Sequence, residues 1–277
     1  MKLNKSKVSD SVKRALLEDG YKNDLSLKIK NINSKKVLRA TLISRENGIL
    51  SGSLWFEESF KQIDKKAKIK WKVIEGEAFK KDSVIAEINA SLHAILSGER
   101  TALNFLQMMS GISTKTNKYS KLLKNSNIEL LDTRKTLPGL RYEQKYSTFI
   151  GGAKNHRFGL FDAIMLKDNH LKAFGGIKNI KNINFFKRGD FLEIEIEKLS
   201  QIKIALKSKP DILLLDNLSL SEIKKAISLI ERKCLIEVSG IKNPEDIEKY
   251  KNLSIHYISL GDLTKNIKSI DFSLNIS

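Results

Sequence analysis

Beyond about residue 127, short apolar runs alternate with stretches whose apolar residues have helical spacing. The runs end in polar residues and are IELLD (128–132), AIMLK (163–167), LEIEIE (192–197), ILLLD (212–216), LIEVSG (235–240) and HYISLGD (256–262). The ends of the last four, Glu195, Asp216, Ser239 and Gly261, are 21, 23 and 22 residues apart, which is the length of one strand plus one helix. The repeat predicts a parallel sheet, either a barrel or a doubly wound sheet. Six runs, with a further candidate at FIGGAKNH (149–156), favour a (β/α) barrel.

The stretches between the later runs carry helix signals. LSQIKIALKSK (199–209), SLSEIKKAISLIERK (219–233) and NPEDIEKYKN (243–252) have apolar residues at i, i+3 and i+4 spacing. Ser219, and Asn243 followed by Pro244, are residues that commonly begin helices. These stretches therefore predict helices that connect the parallel strands.

Residues 1–105 have a different pattern and predict a separate, smaller α/β sandwich domain. NINSKKVLRATLISRENGILSG (31–52) alternates as strands do, and WKVIEGEAFKKDSVIAEINA (71–90) reads as two short strands around a turn. A helix is expected to begin at Ser97 and to link this domain to the barrel of residues 106–265. The C-terminal tail, 266–277, is expected to pack on the first domain.

The net charge of +18 raises the question of nucleic acid, but its distribution argues against a dedicated nucleic-acid role. The excess is almost entirely lysine, 41 residues against 9 arginines, and is scattered along the chain. There is no long basic run, and aromatic residues do not alternate with the cations, as a platform for single strands requires. No apolar run approaches the ~18–20 residues of a membrane span. The start of the chain lacks the apolar region of a secretion signal, and the single cysteine, Cys234, has no partner for an internal disulfide. These features predict a cytoplasmic protein with no membrane partner.

Charged and small residues follow nearly every predicted strand. Four of the nine arginines, Arg100, Arg134, Arg141 and Arg157, fall within 58 residues, and a guanidinium fork matches a carboxylate or phosphate better than an ammonium does. An ordinary surface role is at least as good an interpretation of Arg141. The cationic groups expected at the carboxyl ends of the strands are Arg134, Lys135, His156, Arg157 and Lys167.

Such a set predicts a site for a small polyanion: a dicarboxylate, a phosphorylated sugar, or both. Asp168, Glu195 and Asp216 would lie opposite, as ligands of a metal or of sugar hydroxyls. Ser239-Gly240 and Gly261 could offer backbone N–H groups to a phosphate. Glu193, Glu195 and Glu197 alternate onto one strand face, where lysine partners or a metal must offset their repulsion.

Several other chemistries have little support. The chain has no GxxxxGK[ST] loop, no GxGxxG after a strand, no cysteine pair, no HExxH and no GxSxG elbow. Spacing alone leaves a Ser-His-Asp triad open. Lys167 would be a better Schiff-base lysine than Lys154, because it ends a buried strand.

Eight motifs, in order along the chain, carry a resemblance to a known family. They are GERTALNFLQMMSGIST (98–114), LLDTRKTLPGLR (130–141), GGAKNHRFGL (151–160), IMLKDNH (164–170), LEIEIE (192–197), LLLDN (213–217), EVSG (237–240) and SLGDLTK (259–265). With them the chain resembles the quinolinate phosphoribosyltransferases, also called carboxylating nicotinate-nucleotide pyrophosphorylases. The resemblance implies a partial α/β barrel with a smaller N-terminal domain. It also implies an Mg²⁺-dependent step of NAD biosynthesis, in which quinolinate and phosphoribosyl pyrophosphate give nicotinate mononucleotide, pyrophosphate and carbon dioxide.

The resemblance also assigns residues. It places Arg134, His156, Arg157 and Lys167 around quinolinate, and Arg100 in the site of the neighbouring subunit, which implies a homodimer. The residues that would face phosphoribosyl pyrophosphate and its metal are Lys135, Glu195, Asp216, Ser239, Gly240, Gly261 and Lys265. Among these, Lys135, Glu195 and Asp216 would be catalytic, and Glu195 and Asp216 would also bind the metal.

The chain departs from the family pattern at Ile241 and at Asp262, which follows Gly261 where a small residue is usual; both bear on phosphate affinity. His170 is expected to order its loop, and His93 and His256 are expected to be structural. Two alternatives stay open from sequence: a paralogue of the same fold that acts on another base or anion, and a basic RNA-binding protein on an old enzyme scaffold. The intact cation set favours the enzyme.

Overall fold

The computed structural model describes residues 3–30, 32–182 and 191–276. The helices are α1 (Lys5–Glu18), α2 (Ser53–Lys61), α3 (Leu92–Leu122), α4 (Arg141–Ile150), α5 (Asp168–Ala173), α6 (Ile202–Ala205), α7 (Leu220–Ile230) and α8 (Asp262–Lys265). The strands are β1 (Val37–Ser44), β2 (Gly48–Ile49), β3 (Lys68–Trp71), β4 (Ala78–Phe79), β5 (Val84–Ser91), β6 (Glu129–Leu131), β7 (Ile164–Leu166), β8 (Leu192–Ile196), β9 (Ile212–Asp216), β10 (Leu235–Ser239), β11 (Tyr257–Ser259) and β12 (Phe272–Ile276). None of these helices is both long enough and apolar enough to cross a bilayer.

The chain forms two compact units. The first contains Met1–Asn117, Thr136–Gly152 and Leu263–Ser277, and the second contains Lys118–Lys135 and Ala153–Asp262. The boundary expected between residues 105 and 106 falls inside α3, and the expected barrel segment, 106–265, supplies residues to both units. The expected domain spans also include residues 1, 2, 31, 183–190 and 277, which lie outside the described residues.

An antiparallel sheet with the strand order β12-β1-β5-β3 forms the centre of the first unit. Its strands come from the alternating segments, since alternation puts one set of side chains on the buried face. Leu42 of β1 pairs with Ala86 of β5 on one side and with Leu274 of β12 on the other. The C-terminal tail therefore completes the sheet of the first unit. Leu42, Ile88 and Phe56 are fully buried in its core.

The helix expected from Ser97 begins earlier, at Leu92. The backbone N–H of Ala94 donates to Oγ of Ser91 at 3.3 Å, so Ser91 satisfies an amide at the helix start. Ser97 instead donates its hydroxyl to Oδ2 of Asp24 at 2.7 Å. The start at Ser97 was wrong because an earlier serine takes the capping position.

A parallel sheet with the order β6-β11-β10-β9-β8-β7 forms the second unit, and it comes from the six predicted apolar runs. Its strands are rich in buried Ile, Leu and Val, as expected for parallel strands covered on both faces. Lys154 adds a one-residue parallel bridge to Leu131 of β6. The seventh candidate segment thus pairs with the edge of the sheet through a single residue, which fits a partial barrel.

The connecting helices are formed unequally. Ser219 and Glu222 make a capping box at the start of α7, and a 3₁₀ helix, Pro244–Tyr250, follows Asn243. The stretch 199–209 contains only the four residues of α6 between two 3₁₀ turns. It ends at Lys209, whose φ is +48°, because Pro210 follows and a residue before proline disfavours the α region.

Candidate active site

The carboxyl ends of the parallel strands surround a cavity of about 380 Å³ in the second unit. Its lining residues are Thr133, Arg134, Lys135, His156, Arg157, Met165, Lys167, Asp168, Glu195, Leu214, Asp216, Glu237, Ser239 and Ser259. The predicted cations Arg134, Lys135, His156, Arg157 and Lys167 all line it, as do Glu195, Asp216 and Ser239. The structure thus brings together most of the residues that were predicted to share one site.

Four predicted residues stand outside this lining. Arg100, an exposed residue of α3, and Lys265, the last residue of α8, belong to the first unit. Gly240 directly follows Ser239, and Gly261 closely approaches the side chain of Lys135. The ligand-binding roles of these residues stay predictions.

A buried carboxylate fixes the loop that carries two of the cations. Asp132, at the end of β6, is fully buried. Its oxygens accept hydrogen bonds from Nδ2 of Asn155 at 2.7 Å and from the backbone N–H of His156 at 2.9 Å. The loop with His156 and Arg157 is therefore tied to the end of β6, beside Arg134 and Lys135.

Lys167 lies at the end of β7, and its side chain makes an ion pair with Glu195 of β8. Nζ of Lys167 is 3.0 Å from Oε2 of Glu195, which is almost completely buried. The backbone N–H of Lys167 donates to Nδ1 of His170 at 3.1 Å. His170 thus orders this loop as expected, and Lys167 is the lysine partner that the buried Glu195 needs.

His156 lies between two buried carboxylates. Its Nε2 is 3.1 Å from Oε2 of Glu193 and 3.4 Å from Oε2 of Glu237. Burial disfavours the charged imidazolium, but hydrogen bonding and the charges of the two carboxylates outweigh burial and raise the pKa of His156 to about 10.

The other ring nitrogen of His156 makes a competing contact. Nδ1 lies 2.7 Å from the backbone nitrogen of Arg157, and an unprotonated Nδ1 accepts that N–H. Protonation of Nδ1, which converts the ring to the imidazolium, removes this hydrogen bond. Because hydrogen bonds to charged groups are the stronger kind, the carboxylates decide the balance and favour the imidazolium at neutral pH.

The pair Glu193 and Glu237 was missed by sequence reasoning. Glu193 and Glu195 are buried as alternation predicts, whereas Glu197 is exposed and lies beyond the end of β8. Glu237 is an acidic residue inside the apolar run of β10, and it is fully buried. The signal in the sequence was an acidic residue inside an apolar strand, because a buried carboxylate needs a polar or charged partner.

The two arginines of the cavity repel each other, and one of them has a buried donor that is unpaired among the described residues. Nη1 of Arg157 donates to the carbonyl of Ala163 at 3.1 Å. Burial, followed by the charge of Arg134, lowers the pKa of the Arg157 guanidinium from its ordinary value. Nε of Arg134 is buried and has no hydrogen-bond partner among residues 3–30, 32–182 and 191–276. An anion bound here would offset the repulsion between the arginines and satisfy that donor.

Two glycines permit a close approach of backbone at the cavity rim. Gly240 has φ of +75°, and a Cβ added there would lie 2.3 Å from Oδ1 of Asn217. A Cβ added at Gly261 would lie 2.6 Å from Cδ of Lys135. Only glycine fits both places without a shift, and backbone N–H groups at such positions are suited to a phosphate.

The predicted metal ligands fit Mg²⁺ by their chemistry. Glu195 and Asp216 offer carboxylate oxygens at adjacent strand ends, and Mg²⁺ is commonly held by one or two carboxylates together with substrate phosphates. A different group, His156, Glu193 and Glu237, is the one three-residue set of suitable spacing in the described part of the chain. It contains an imidazole, which Mg²⁺ does not prefer.

A partial parallel barrel with cations and carboxylates around one cavity defines an enzyme site for small anionic substrates. Residues 21–110 match the N-terminal domain of quinolinate phosphoribosyl transferase, and residues 112–275 match its C-terminal domain. The chain belongs to the quinolinate phosphoribosyltransferase family.

Similar proteins agree with this assignment. A probable carboxylating nicotinate-nucleotide pyrophosphorylase of Bacillus subtilis is 35% identical over 263 residues, which cover 94% of this chain and 90% of that protein. The chloroplastic enzyme of Arabidopsis thaliana is 33% identical over 96% of this chain and 81% of its own length. The crystal structure of NadC from Streptococcus pyogenes is 36% identical, covers 100% of this chain and 99% of that one, and has a TM-score of 0.93.

Proposed function

We propose that the cavity at the strand ends is where this chain carries out the reaction of its family. The chain transfers the phosphoribosyl group of phosphoribosyl pyrophosphate to quinolinate and decarboxylates the product, which gives nicotinate mononucleotide, pyrophosphate and carbon dioxide in NAD biosynthesis. The observation that carries the assignment of the cavity is the meeting of Arg134, Arg157 and Lys167 in it.

Quinolinate has two adjacent carboxylates, so the cations are suited to it. The guanidinium groups of Arg134 and Arg157 can each donate two parallel hydrogen bonds to a carboxylate. The buried Nε of Arg134 gains an acceptor when the dianion binds. Lys167 adds a third positive charge, and His156 adds a fourth where the pair of buried carboxylates keeps it protonated.

Phosphoribosyl pyrophosphate is proposed to bind on the side of Lys135, Glu195 and Asp216. Gly240 and Gly261 leave the backbone beside this region free of side-chain bulk. Lys135 would stabilise the departing pyrophosphate, while Ser239 and Lys265 would contact phosphate oxygens. Glu195 and Asp216 would hold Mg²⁺, which when bound neutralises negative charge on the pyrophosphate.

The chemistry requires little beyond positioning and charge. The pyridine nitrogen attacks the anomeric carbon, and the bond from that carbon to pyrophosphate breaks with its electron pair leaving on the pyrophosphate. A carboxylate such as Glu195 or Asp216 stabilises the oxocarbenium character of the sugar. The ring nitrogen is then cationic and stabilises the carbanion that remains when the neighbouring carboxylate leaves as carbon dioxide. A proton replaces that carboxylate.

We also propose a homodimer in which Arg100 of one subunit completes the cation set of its neighbour. An exposed arginine on a helix of the first unit has the fork geometry that a second carboxylate contact requires. The cytoplasm is the proposed location, because the chain has a single cysteine.

The experiment that tests this function follows two products together. Purified protein is incubated with quinolinate, phosphoribosyl pyrophosphate and Mg²⁺, and nicotinate mononucleotide and carbon dioxide are measured. We expect equal amounts of both from quinolinate and no mononucleotide from nicotinate, the control base. Turnover of nicotinate, or the absence of both products from a folded sample, would contradict the assignment and favour a paralogue with another substrate.

A further inference from the structure

Glu193 and Glu237 are in positions where a carboxylate is costly. Both side chains are at most 1% exposed. Glu193 belongs to β8 and Glu237 to β10, and β9 lies between these two strands in the sheet. Burying a charged carboxylate costs free energy unless it is well paired, and an apolar residue of similar volume often gives a more stable protein. Packing alone therefore does not explain why the sheet carries acidic residues here.

Among the described residues, His156 is the main polar partner of these two carboxylates. Oε1 of Glu193 and both oxygens of Glu237 are buried and accept no hydrogen bond from residues 3–30, 32–182 or 191–276. Nε2 of His156 is 3.1 Å from Oε2 of Glu193. It is 3.4 Å from Oε2 of Glu237, but the geometry of that contact is not that of a hydrogen bond. One imidazole is thus held by two carboxylates from two different strands.

The held imidazole is directly connected to the anion-binding arginine. His156 directly precedes Arg157 in sequence. Holding the imidazole in place therefore also holds the backbone from which the Arg157 side chain extends, and this connection does not require the hydrogen bond to Nδ1. The carboxylates therefore act on the orientation of His156 and, through the backbone, on the position of Arg157.

We infer that Glu193 and Glu237 are positioning residues of the quinolinate site, which act on the substrate through His156 and Arg157 by holding these two residues in place. This inference rests on the proposed function. It predicts that the two carboxylates increase the affinity for quinolinate. Phosphoribosyl pyrophosphate is proposed to bind on the side of Lys135 and Asp216, so its affinity should not depend on them.

The test compares Glu237→Gln and Glu193→Gln, which keep the side-chain shape, with Glu197→Gln, an exposed acidic residue that follows the same strand. We expect each of the first two to raise KM for quinolinate about tenfold or more, as loss of groups that orient ligands does. KM for phosphoribosyl pyrophosphate should change less than about threefold, and any fall in Tm should stay below about 5 °C, because the other carboxylate still pairs with His156. Glu237→Asp, which keeps the charge, should recover part of the affinity.

A structural role would give a different result. Loss of Tm by more than about 5 °C in both glutamine variants, with both KM values and kcat impaired together, would overturn the inference. So would an unchanged KM for quinolinate in the two variants. A stoichiometric transition metal in purified wild-type protein that is lost in Glu237→Gln would also overturn it, because the carboxylates would then be metal ligands.

Failure of the proposed function can be told apart from failure of this inference. If wild-type protein does not turn over quinolinate, the function fails, and the positioning role is judged by calorimetry with phthalate, which has two adjacent carboxylates. Weaker phthalate binding in Glu237→Gln, with unchanged binding in Glu197→Gln, would support it. Equal binding in all three proteins would refute it.

Discussion

Nζ of Lys167 lies 3.0 Å from Oε2 of Glu195, and this ion pair connects two adjacent strand ends. Lys167 is a proposed quinolinate ligand, and Glu195 is a proposed ligand of the metal that accompanies phosphoribosyl pyrophosphate. The pair therefore lies where the two substrates must meet for the pyridine nitrogen to reach the anomeric carbon. Removal of the lysine would affect both substrates, since it leaves an almost completely buried carboxylate without its cation.

We predict that Lys167→Ala lowers kcat/KM for quinolinate by at least about a hundredfold. The matched control is Lys233→Ala, which removes an exposed lysine whose ion pair with Glu231 spans 2.7 Å. That variant should keep wild-type kinetics, since exposed ion pairs contribute little. Steady-state kinetics with each substrate varied in turn make the comparison. Unchanged turnover in Lys167→Ala would show that the quinolinate site lies elsewhere.

The arginine fork is tested by Arg134→Lys. The substitution keeps the positive charge but loses the planar donors that match a carboxylate, so we expect KM for quinolinate to rise about tenfold, or about 1.4 kcal/mol. Arg14→Lys, on the exposed face of α1, serves as the control with the same chemical change. If both variants bind quinolinate as wild type does, the Nε of Arg134 has no part in binding the anion.

Two glycines with similar φ allow the effect of a steric clash on stability to be separated from the effect of backbone strain. Gly240 and Gly139 have φ of +75° and +78°, but a Cβ at Gly139 has nothing within 4 Å, whereas one at Gly240 would lie 2.3 Å from Oδ1 of Asn217. Gly139→Ala should therefore cost only the strain of about 1–2 kcal/mol in the free energy of unfolding. Gly240→Ala should cost more and raise KM for phosphoribosyl pyrophosphate. Denaturant melts and kinetics measure both; equal effects would mean that the contact with Asn217 is unimportant.

The sequence predicted the strands of the second unit well and the His156 cluster only in part. Each apolar run is a local pattern, and its length and polar end locate a strand without knowledge of its neighbours. The meeting of Glu193 and Glu237 at His156 depends on the order of strands, since β9 lies between β8 and β10. Local pattern carries no information on which strand is next to which. The same limit explains the start of α3, where Ser91 and Ser97 are both suitable caps and tertiary contacts decide between them.

The charge of His156 predicts how stability depends on pH. Its folded-state pKa of about 10 is above the value of about 6.5 expected in the unfolded chain. The protonated form therefore stabilises the fold fully below pH 6.5, and this contribution declines between pH 6.5 and 10 and is lost above pH 10. We expect the Tm difference between wild type and His156→Gln to narrow over that range. A difference that is constant with pH would mean that His156 is neutral in the folded protein.

The proposed shared site predicts that two inactive variants restore each other on mixing. Arg100→Ala removes a residue supplied to the neighbouring subunit, and Arg134→Ala removes one from the subunit's own cavity. In a heterodimer of the two, one site has both arginines and the other has neither. Since half of randomly reassembled dimers are heterodimers, about a quarter of wild-type activity should return. The mixture is unfolded and refolded together, and each variant treated alone is the control. If heterodimers form but activity does not return, the shared site is wrong. Either Arg100 and Arg134 then act in the same subunit's site, or Arg100 belongs to no site.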